Sequence, residues 1–171
     1  DGMTVRGTPY IGVLYAGLMQ TDDGMQVLEF NCRFGDPETQ VILPLLETDL
    51  YEIMIACTEG RLHELDLRWQ SAHCATVVLA SGGYPGSYEK GFPISGLDEV
   101  AKREEVIVFH AGTKHQNGKI VTDGGRVLAV TAVQNTLDAA LDSAYDAVSA
   151  IHFDRLHYRR DIGRVIEDSF R

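Results

Sequence analysis

Apolar and polar positions alternate along this chain in a way that divides it into strands and helices separated by short turns. Residues 1–8 are rich in Gly and Thr and read as a connection. Residues 10–20 are apolar enough for a buried strand, and Thr21-Asp22-Asp23-Gly24 is a turn sequence with Gly24 where positive φ is tolerated. Residues 26–31 form the next strand, so an antiparallel hairpin is expected. Gly12 and Gly17 in its first strand mark either a backbone approached closely by another group or crowded packing. Residues 37–46 have a helical pattern, with Val41, Leu45 and Leu46 on one side, which Pro44 must kink or end. Asp36 is placed to cap that helix, with Pro37 at its first position. Asp49-Leu50-Tyr51-Glu52 then reads as a capping box. Leu50, Ile53, Met54 and Cys57 follow at helical spacing until Gly60 stops the helix, which reads as core material.

Residues 61–72 are a polar join anchored by Leu62, Leu65 and Trp69, and a domain boundary is expected there. Beyond it, residues 75–80 read as a buried strand, followed by the glycine-rich stretch 81–91. That stretch has Pro85 within it, Pro93 just after it and no Lys-Ser/Thr ending, so it reads as a surface loop and not as a phosphate-cradling P-loop. Val106–His110 is a strand, Asn117-Gly118 signals a hairpin, Lys119–Thr122 returns, and residues 126–132 make a further strand. The pattern predicts a β-meander. Asn135 is placed to cap a last helix whose Leu137, Ala140, Leu141, Ala144, Tyr145 and Val148 share one face. A helix laid on a meander is an α+β unit. The tail 158–164, Tyr-Arg-Arg-Asp-Ile-Gly-Arg, is either an anion-binding patch or a solvated end.

Composition narrows the function classes. At 171 residues with 44% apolar content, the chain can bury a core and hold one domain or two small ones. Its net charge of −10 argues against a nucleic-acid footprint, which needs clustered positive charge. Cys32, Cys57 and Cys74 lack a disulfide-framework spacing, so a reducing, cytoplasmic setting is expected. Neither a secretory leader nor a membrane-length apolar run is evident, and no membrane partner is expected. The six histidines are scattered without zinc-site spacing, and only His110, beside a turn, draws interest. The chain starts at Asp1 within what already reads as structured sequence, which suggests a piece of a longer polypeptide.

The chemistry concentrates in residues 25–40. On a strand, Glu29 and Asn31 share a face about 6.5–7 Å apart, so a carboxylate and an amide oxygen can converge on one hard cation such as Mg²⁺. Arg33 adds a planar fork of donors suited to phosphate or carboxylate. An isolated Glu-x-Asn on a strand is most often just the solvated face of a sheet, and Arg33 alone would be a surface charge. The whole string is more specific. Glu29-Phe30-Asn31-Cys32-Arg33 resembles the metal-binding strand of ATP-grasp ligases, and the Gly35-Asp36-Pro37-Glu38 continuation resembles glycinamide ribonucleotide synthetases more narrowly. Residues 12–19, 83–86, 110–113, 124–128 and 158–163 resemble successive landmarks of the same family.

That resemblance implies an ATP-dependent ligase joining glycine to 5-phosphoribosylamine through glycyl phosphate, in purine biosynthesis. It implies that Glu29 and Asn31 hold Mg²⁺ (or Mn²⁺) against the phosphates of ATP, the substrate nucleotide. Arg33 would be the catalytic residue that stabilises the transferred phosphoryl group or the acyl phosphate. Asp36 and Glu38 would lie beside the substrate, although helix capping explains Asp36 equally well. Gly124, Gly125 and Arg126 would line the substrate end of the cleft. Residues 1–68 would be the C-terminal portion of the ATP-grasp domain, part of an antiparallel sheet with helices, and 69–171 the family's C-terminal domain. No adenine pocket, phosphate-contacting lysine or glycine-rich lid can be found in the sequence, so the piece is expected to need the remainder of its parent polypeptide and to be inactive alone. Two rival classes stand beside this reading: another ATP-grasp ligase or carboxylase, and a non-catalytic interaction module that retains the fold.

Overall fold

The local patterns above assemble, in a computed structural model describing residues 2–163, into two units. One comprises the residues up to Thr39 together with Leu46–Gln70; the other comprises Gln40–Leu45 and the residues from Ser71 onward. Arg164, the last residue of the basic tail, lies outside the described residues.

In the first unit, the expected connection at the start contains a short helix, α1 (Gly2–Val5). Strands β1 (Tyr15–Thr21) and β2 (Gly24–Asn31) form the antiparallel hairpin, with Thr21 opposite Gly24. Gly24 sits at φ +98, as its place in the turn requires. The register shifts between Gly17 and Leu18, so that Leu28 is an extra residue on β2, a β-bulge. The expectation that residues 10–20 are a buried strand is not met. Only Gly17 in β1 is buried, and Leu18, Met19, Met25, Val27 and Phe30 are each at least half exposed. The physical reason is the size of the sheet: the hairpin is two-stranded, and two strands cannot bury their own faces.

A short helix, α2 (Thr39–Ile42), passes into a 3₁₀ turn over Leu43–Leu45, so Pro44 ends the α-helical geometry as expected. Helix α3 (Leu50–Thr58) is capped by Asp49, whose Oδ1 accepts from the Tyr51 N–H at 2.7 Å. It ends as its Gly60 predicts, with Gly60 at φ +75 and the Arg61 N–H reaching back to the Ala56 carbonyl at 2.9 Å. Its apolar face is not core, however; only Ala56 is fully buried in it. Residues 46–48 pair with the polar join, the Arg68 carbonyl accepting from Glu47 N–H at 3.0 Å and Leu46 bridging to Trp69.

The second unit holds the buried clusters. Its elements are β3 (His73–Ser81), α4 (Leu97–Val100), β4 (Val106–His110), β5 (Thr113–Gln116), β6 (Lys119–Thr122), β7 (Arg126–Gln134), α5 (Leu137–Ala150) and β8 (Leu156–His157). The α+β class and the covering helix are as expected, but the strands are not a simple meander. The sheet order is β4-β7-β3-β8, all antiparallel, while β5 and β6 form a separate hairpin. Asn117 and Gly118 both have positive φ, so the Asn-Gly turn closes β5 on β6 locally, and β7 passes beyond that hairpin to pair with β4 and β3. Strand β7 is the centre, with Val127, Leu128, Val130 and Ala132 all buried. Helix α5 supplies Ala144, Ala147 and Val148 to the same cluster. In the sheet, the hydroxyls of the cross-strand pair Thr76 and Thr131 bond each other at 2.8 Å. Cys74 on β3 is half-buried, and that desolvation pushes its thiol up to about 11, which suits a structural cysteine better than a reactive one.

The cap of α5 is Thr136, not Asn135. Thr136 Oγ1 accepts from Ala139 N–H at 3.2 Å, three residues on, where Asn135 is one residue too early to reach. Thr136→Ala is therefore expected to lower stability by about 1 kcal/mol, and Asn135→Ala to change it by less than about 0.5 kcal/mol. Urea unfolding of the two variants side by side checks this. Among the described residues no helix is long and apolar enough to cross a membrane.

Candidate functional site

Strand β2 delivers the two candidate ligands together. Asn31 Nδ2 donates to Glu29 Oε1 at 2.9 Å, so both side chains lie on one face, as their spacing requires. Across the ribbon, Tyr15 stands opposite Asn31 and Gly17 opposite Glu29. A Cβ on Gly17 would come within 3.1 Å of Glu29 Cγ, so Gly17 is bare because the Glu29 side chain lies over it. The alternatives left open for this glycine resolve into crowding by a site residue. Gly12 differs: at φ +145, its vacant Cβ position is taken by the Tyr10 hydroxyl, which donates to the Val13 carbonyl at 2.7 Å.

The segment after β2 folds back toward that face. The Gly35 carbonyl accepts from both the N–H and the hydroxyl of Thr39, closing a turn over residues 35–39. Helix α2 starts only at Thr39, so Pro37 lies inside the turn and Asp36 is not the cap of the helix. Asp36 is exposed. Glu38 is half-buried, and its Oε1 accepts from the Tyr15 hydroxyl at 3.0 Å. The other oxygen of Glu38, Oε2, occupies the space a Gly35 side chain would need, and Tyr15 Cε2 crowds the same place at 3.0 Å. Arg33 is exposed, with Nη1 donating to the Phe34 carbonyl at 2.8 Å.

Electrostatics tie this group together. The Tyr15 hydroxyl is held above its ordinary pKa, first by its hydrogen bond to Glu38, then by desolvation and by the negative charges of Glu38 and Glu29, while Arg33 opposes. Glu29, Asn31, Glu38 and Tyr15 thus share one small region, with Arg33 in electrostatic reach. Tyr15 is the residue that sequence reasoning missed.

Gly124, Gly125 and Arg126 belong to the second unit, where they form the turn entering β7. Ser81 holds that turn from β3, its N–H donating to the Gly125 carbonyl and its hydroxyl to the Gly124 carbonyl, both at 2.8 Å. The Tyr84 ring, from the Gly-Tyr-Pro-Gly stretch, covers Gly125 so closely that any side chain there would collide with it. Gly112 packs backbone to backbone against Gly124, and its N–H donates to the Arg126 carbonyl at 2.8 Å. His110 is exposed and its Nδ1 bonds Thr113 Oγ1 at 3.0 Å. In the tail, Arg159 forks onto Asp161 at 3.0 and 2.7 Å and holds that carboxyl below the usual range, and Arg160 lies over the Tyr158 ring.

As a cation site, the Glu29–Asn31 pair offers two adjacent oxygen-bearing side chains at the exposed end of a strand. Among the described residues no group of three or more His, Cys, Asp and Glu side chains could hold a metal. A pair is too small for a dedicated metal cage, and fits an ion that takes most of its shell from phosphate and water, as Mg²⁺ does.

Comparisons with known proteins agree over most of the length. The family model of "Phosphoribosylglycinamide synthetase, C domain" matches residues 74–165, and that of "Phosphoribosylglycinamide synthetase, ATP-grasp (A) domain" matches residues 1–39. A phosphoribosylamine–glycine ligase of Synechocystis is 53% identical over 95% of this chain, which spans 39% of that protein. The trifunctional purine biosynthetic protein adenosine-3 of Homo sapiens is 55% identical over 95% of this chain, which spans 16% of it. The crystal structure of phosphoribosylamine–glycine ligase from Thermotoga maritima superimposes with a TM-score of 0.78 at 37% identity, over 94% of this chain and 39% of that one. An N5-carboxyaminoimidazole ribonucleotide synthetase from the same organism shares the fold, with a TM-score of 0.58 at 18% identity. With its site strand inside one matched segment and its buried sheet inside the other, the chain belongs to the phosphoribosylglycinamide synthetase family.

Proposed function

We propose that this chain is the C-terminal part of an ATP-dependent ligase that joins glycine to 5-phosphoribosylamine through glycyl phosphate, a step of purine biosynthesis. The observation that carries the reading is the Glu29–Asn31 pair, two oxygen donors side by side at the end of β2 with Glu38 and Arg33 nearby. Glu29 and Asn31 would hold Mg²⁺ or Mn²⁺. When bound, that ion neutralises and aligns the phosphates of ATP. Arg33, exposed and planar, stabilises the transferred phosphoryl group or the acyl phosphate. Glu38 and Asp36 face the substrate, Glu38 as a carboxylate able to receive an ammonium group. Gly124, Gly125 and Arg126 contact the substrate in the parent enzyme, where the side chain missing at Gly125 lets backbone approach closely.

We assign residues 1–68 to the end of the ATP-grasp domain and 69–171 to the C-terminal domain of the family. The remainder of the parent polypeptide is the partner this reading requires. Its support is twofold: the chain spans 39% of its Synechocystis relative, and the apolar residues of β1 and β2 lie exposed, as in a hairpin taken from a wider sheet. Three free cysteines favour a reducing, cytoplasmic setting, and the net charge of −10 favours no nucleic-acid partner. The isolated chain supplied with Mg-ATP, glycine and phosphoribosylamine is expected to give no glycinamide ribonucleotide, while the full-length parent turns over. Product from the isolated chain, or none from the parent, would refute this proposal.

A further inference from the structure

We infer that Tyr15 is a positioning residue for the ligation: its hydroxyl, bonded to Glu38 at 3.0 Å, fixes that carboxylate beside Glu29 and Asn31 to receive the ammonium group of the amino-acid substrate. The inference rests on the ligase reading and adds to it a residue that no motif on the metal strand contains.

Three observations carry it. Tyr15 is the direct cross-strand partner of Asn31, so its ring rises from the same face of the ribbon as the candidate ligands. Its one hydroxyl proton goes to Glu38 Oε1, which leaves Oε2 able to accept from a ligand. Gly35 closes the arrangement from below, since Glu38 Oε2 and the Tyr15 ring share the space over its Cα. A carboxylate on a turn would otherwise sample several rotamers, each costing order when a substrate binds. The hydroxyl and the bare glycine remove that freedom beforehand, which is how preorganised sites gain affinity. A phenolic hydroxyl, with an ordinary pKa of about 10, is a donor in the range where an enzyme works. Tyr15 itself moves no proton.

The test uses the full-length parent enzyme and three variants: Tyr15→Phe, Glu38→Ala and the double variant. Tyr15→Phe removes only the hydroxyl. Its KM for glycine is expected to rise about ten- to a hundredfold, the range set by a hydrogen bond to a charged group. KM for ATP and the affinity for Mn²⁺ should stay within about twofold, because Glu29 and Asn31 keep their own contact. The double variant should be no worse than Glu38→Ala alone, since the hydroxyl acts only through that carboxylate and alanine leaves it no oxygen to hold. An unchanged KM for glycine in Tyr15→Phe, an equal loss towards ATP and Mn²⁺, or additive effects in the double variant would each overturn the assignment while leaving the ligase reading standing. A wild-type parent that does not ligate glycine overturns both.

Discussion

Glu29→Gln in the full-length parent is expected to lower the ligation rate by about a hundred- to a thousandfold, the range seen when one preorganised electrostatic contact to the reacting charge is removed. The substitution is chosen because it changes little else. Glu29 is exposed, so no buried packing is disturbed, and a glutamine oxygen can still accept from Asn31 Nδ2 at the observed 2.9 Å. What is lost is one negative charge at the place where a divalent cation would sit. A neutral amide pair still offers oxygens to the ion, but without a formal charge to offset its dehydration. Mn²⁺ binding should weaken in parallel, measured by the paramagnetic signal of the free ion, while the unfolding temperature stays within about 2 °C of the wild type. A variant with full activity and full Mn²⁺ affinity would remove the basis for the metal pair.

The largest expected effect on stability lies in the second unit. Gly112→Ala should destabilise it by about 3 kcal/mol, at the upper end of ordinary overpacking. A Cβ at Gly112 would meet Gly124 Cα at 2.5 Å, the Arg126 carbonyl oxygen at 2.6 Å and Gly124 N at 2.7 Å. All three are backbone atoms, so no side-chain rotation relieves the collision, and relief requires moving the turn that enters β7. That movement would also strain the hydrogen bonds from Gly112 N–H to Arg126 and from Asp123 N–H to the Gly112 carbonyl, at 2.8 and 2.7 Å. Gly118→Ala is the control. Gly118 sits at φ +74 with nothing within 4 Å of the place a Cβ would occupy, so its cost is only the left-handed backbone penalty of about 1–2 kcal/mol. Thermal unfolding of both variants separates close approach from backbone conformation; equal losses would mean that Gly112 is not pinched as described.

These two sites differ in how far the amino-acid string alone reveals them. Glu29 and Asn31 are two residues apart on one strand, and a period of two dictates that they face the same way. Their pairing was therefore legible before any tertiary contact was known. Gly112 and Gly124 are twelve residues apart on either side of a hairpin, and nothing local requires their backbones to touch. Gly112 carried a weak signal only as part of His110-Ala111-Gly112-Thr113, and the strand that fixes it, β7, pairs back across the hairpin.

Tyr15 is the most instructive omission. Counting back from the hairpin turn, where Thr21 opposes Gly24, an unbroken ribbon would set Tyr15 against Phe30 and on the face away from Asn31. The bulge at Leu28 adds one residue to β2 and returns Tyr15 to the face of Asn31 and Glu29. A single-residue irregularity thus decides whether the hydroxyl can reach Glu38 at all. Pattern reading has no access to it, because an inserted residue looks the same as its neighbours along the string.

What the chain's own order of residues determined was everything governed by contacts a few positions apart. That covers the Glu29–Asn31 face, the Asn117-Gly118 turn, the Asp49 cap and Gly60 stop of α3, and the amphipathic stripe of α5, since dihedral preferences and strand or helix periods act locally. Only the tertiary structure decided the partners separated by tens of residues: β7 between β4 and β3, Tyr15 on Glu38, Ser81 and Tyr84 against the Gly124-Gly125 turn. It also decided which apolar stripes are covered, leaving β1, β2 and α3 largely exposed while β7 is sealed. The reason is that burial and register depend on what arrives from elsewhere in the chain, and a residue's type carries no information about which distant segment will meet it.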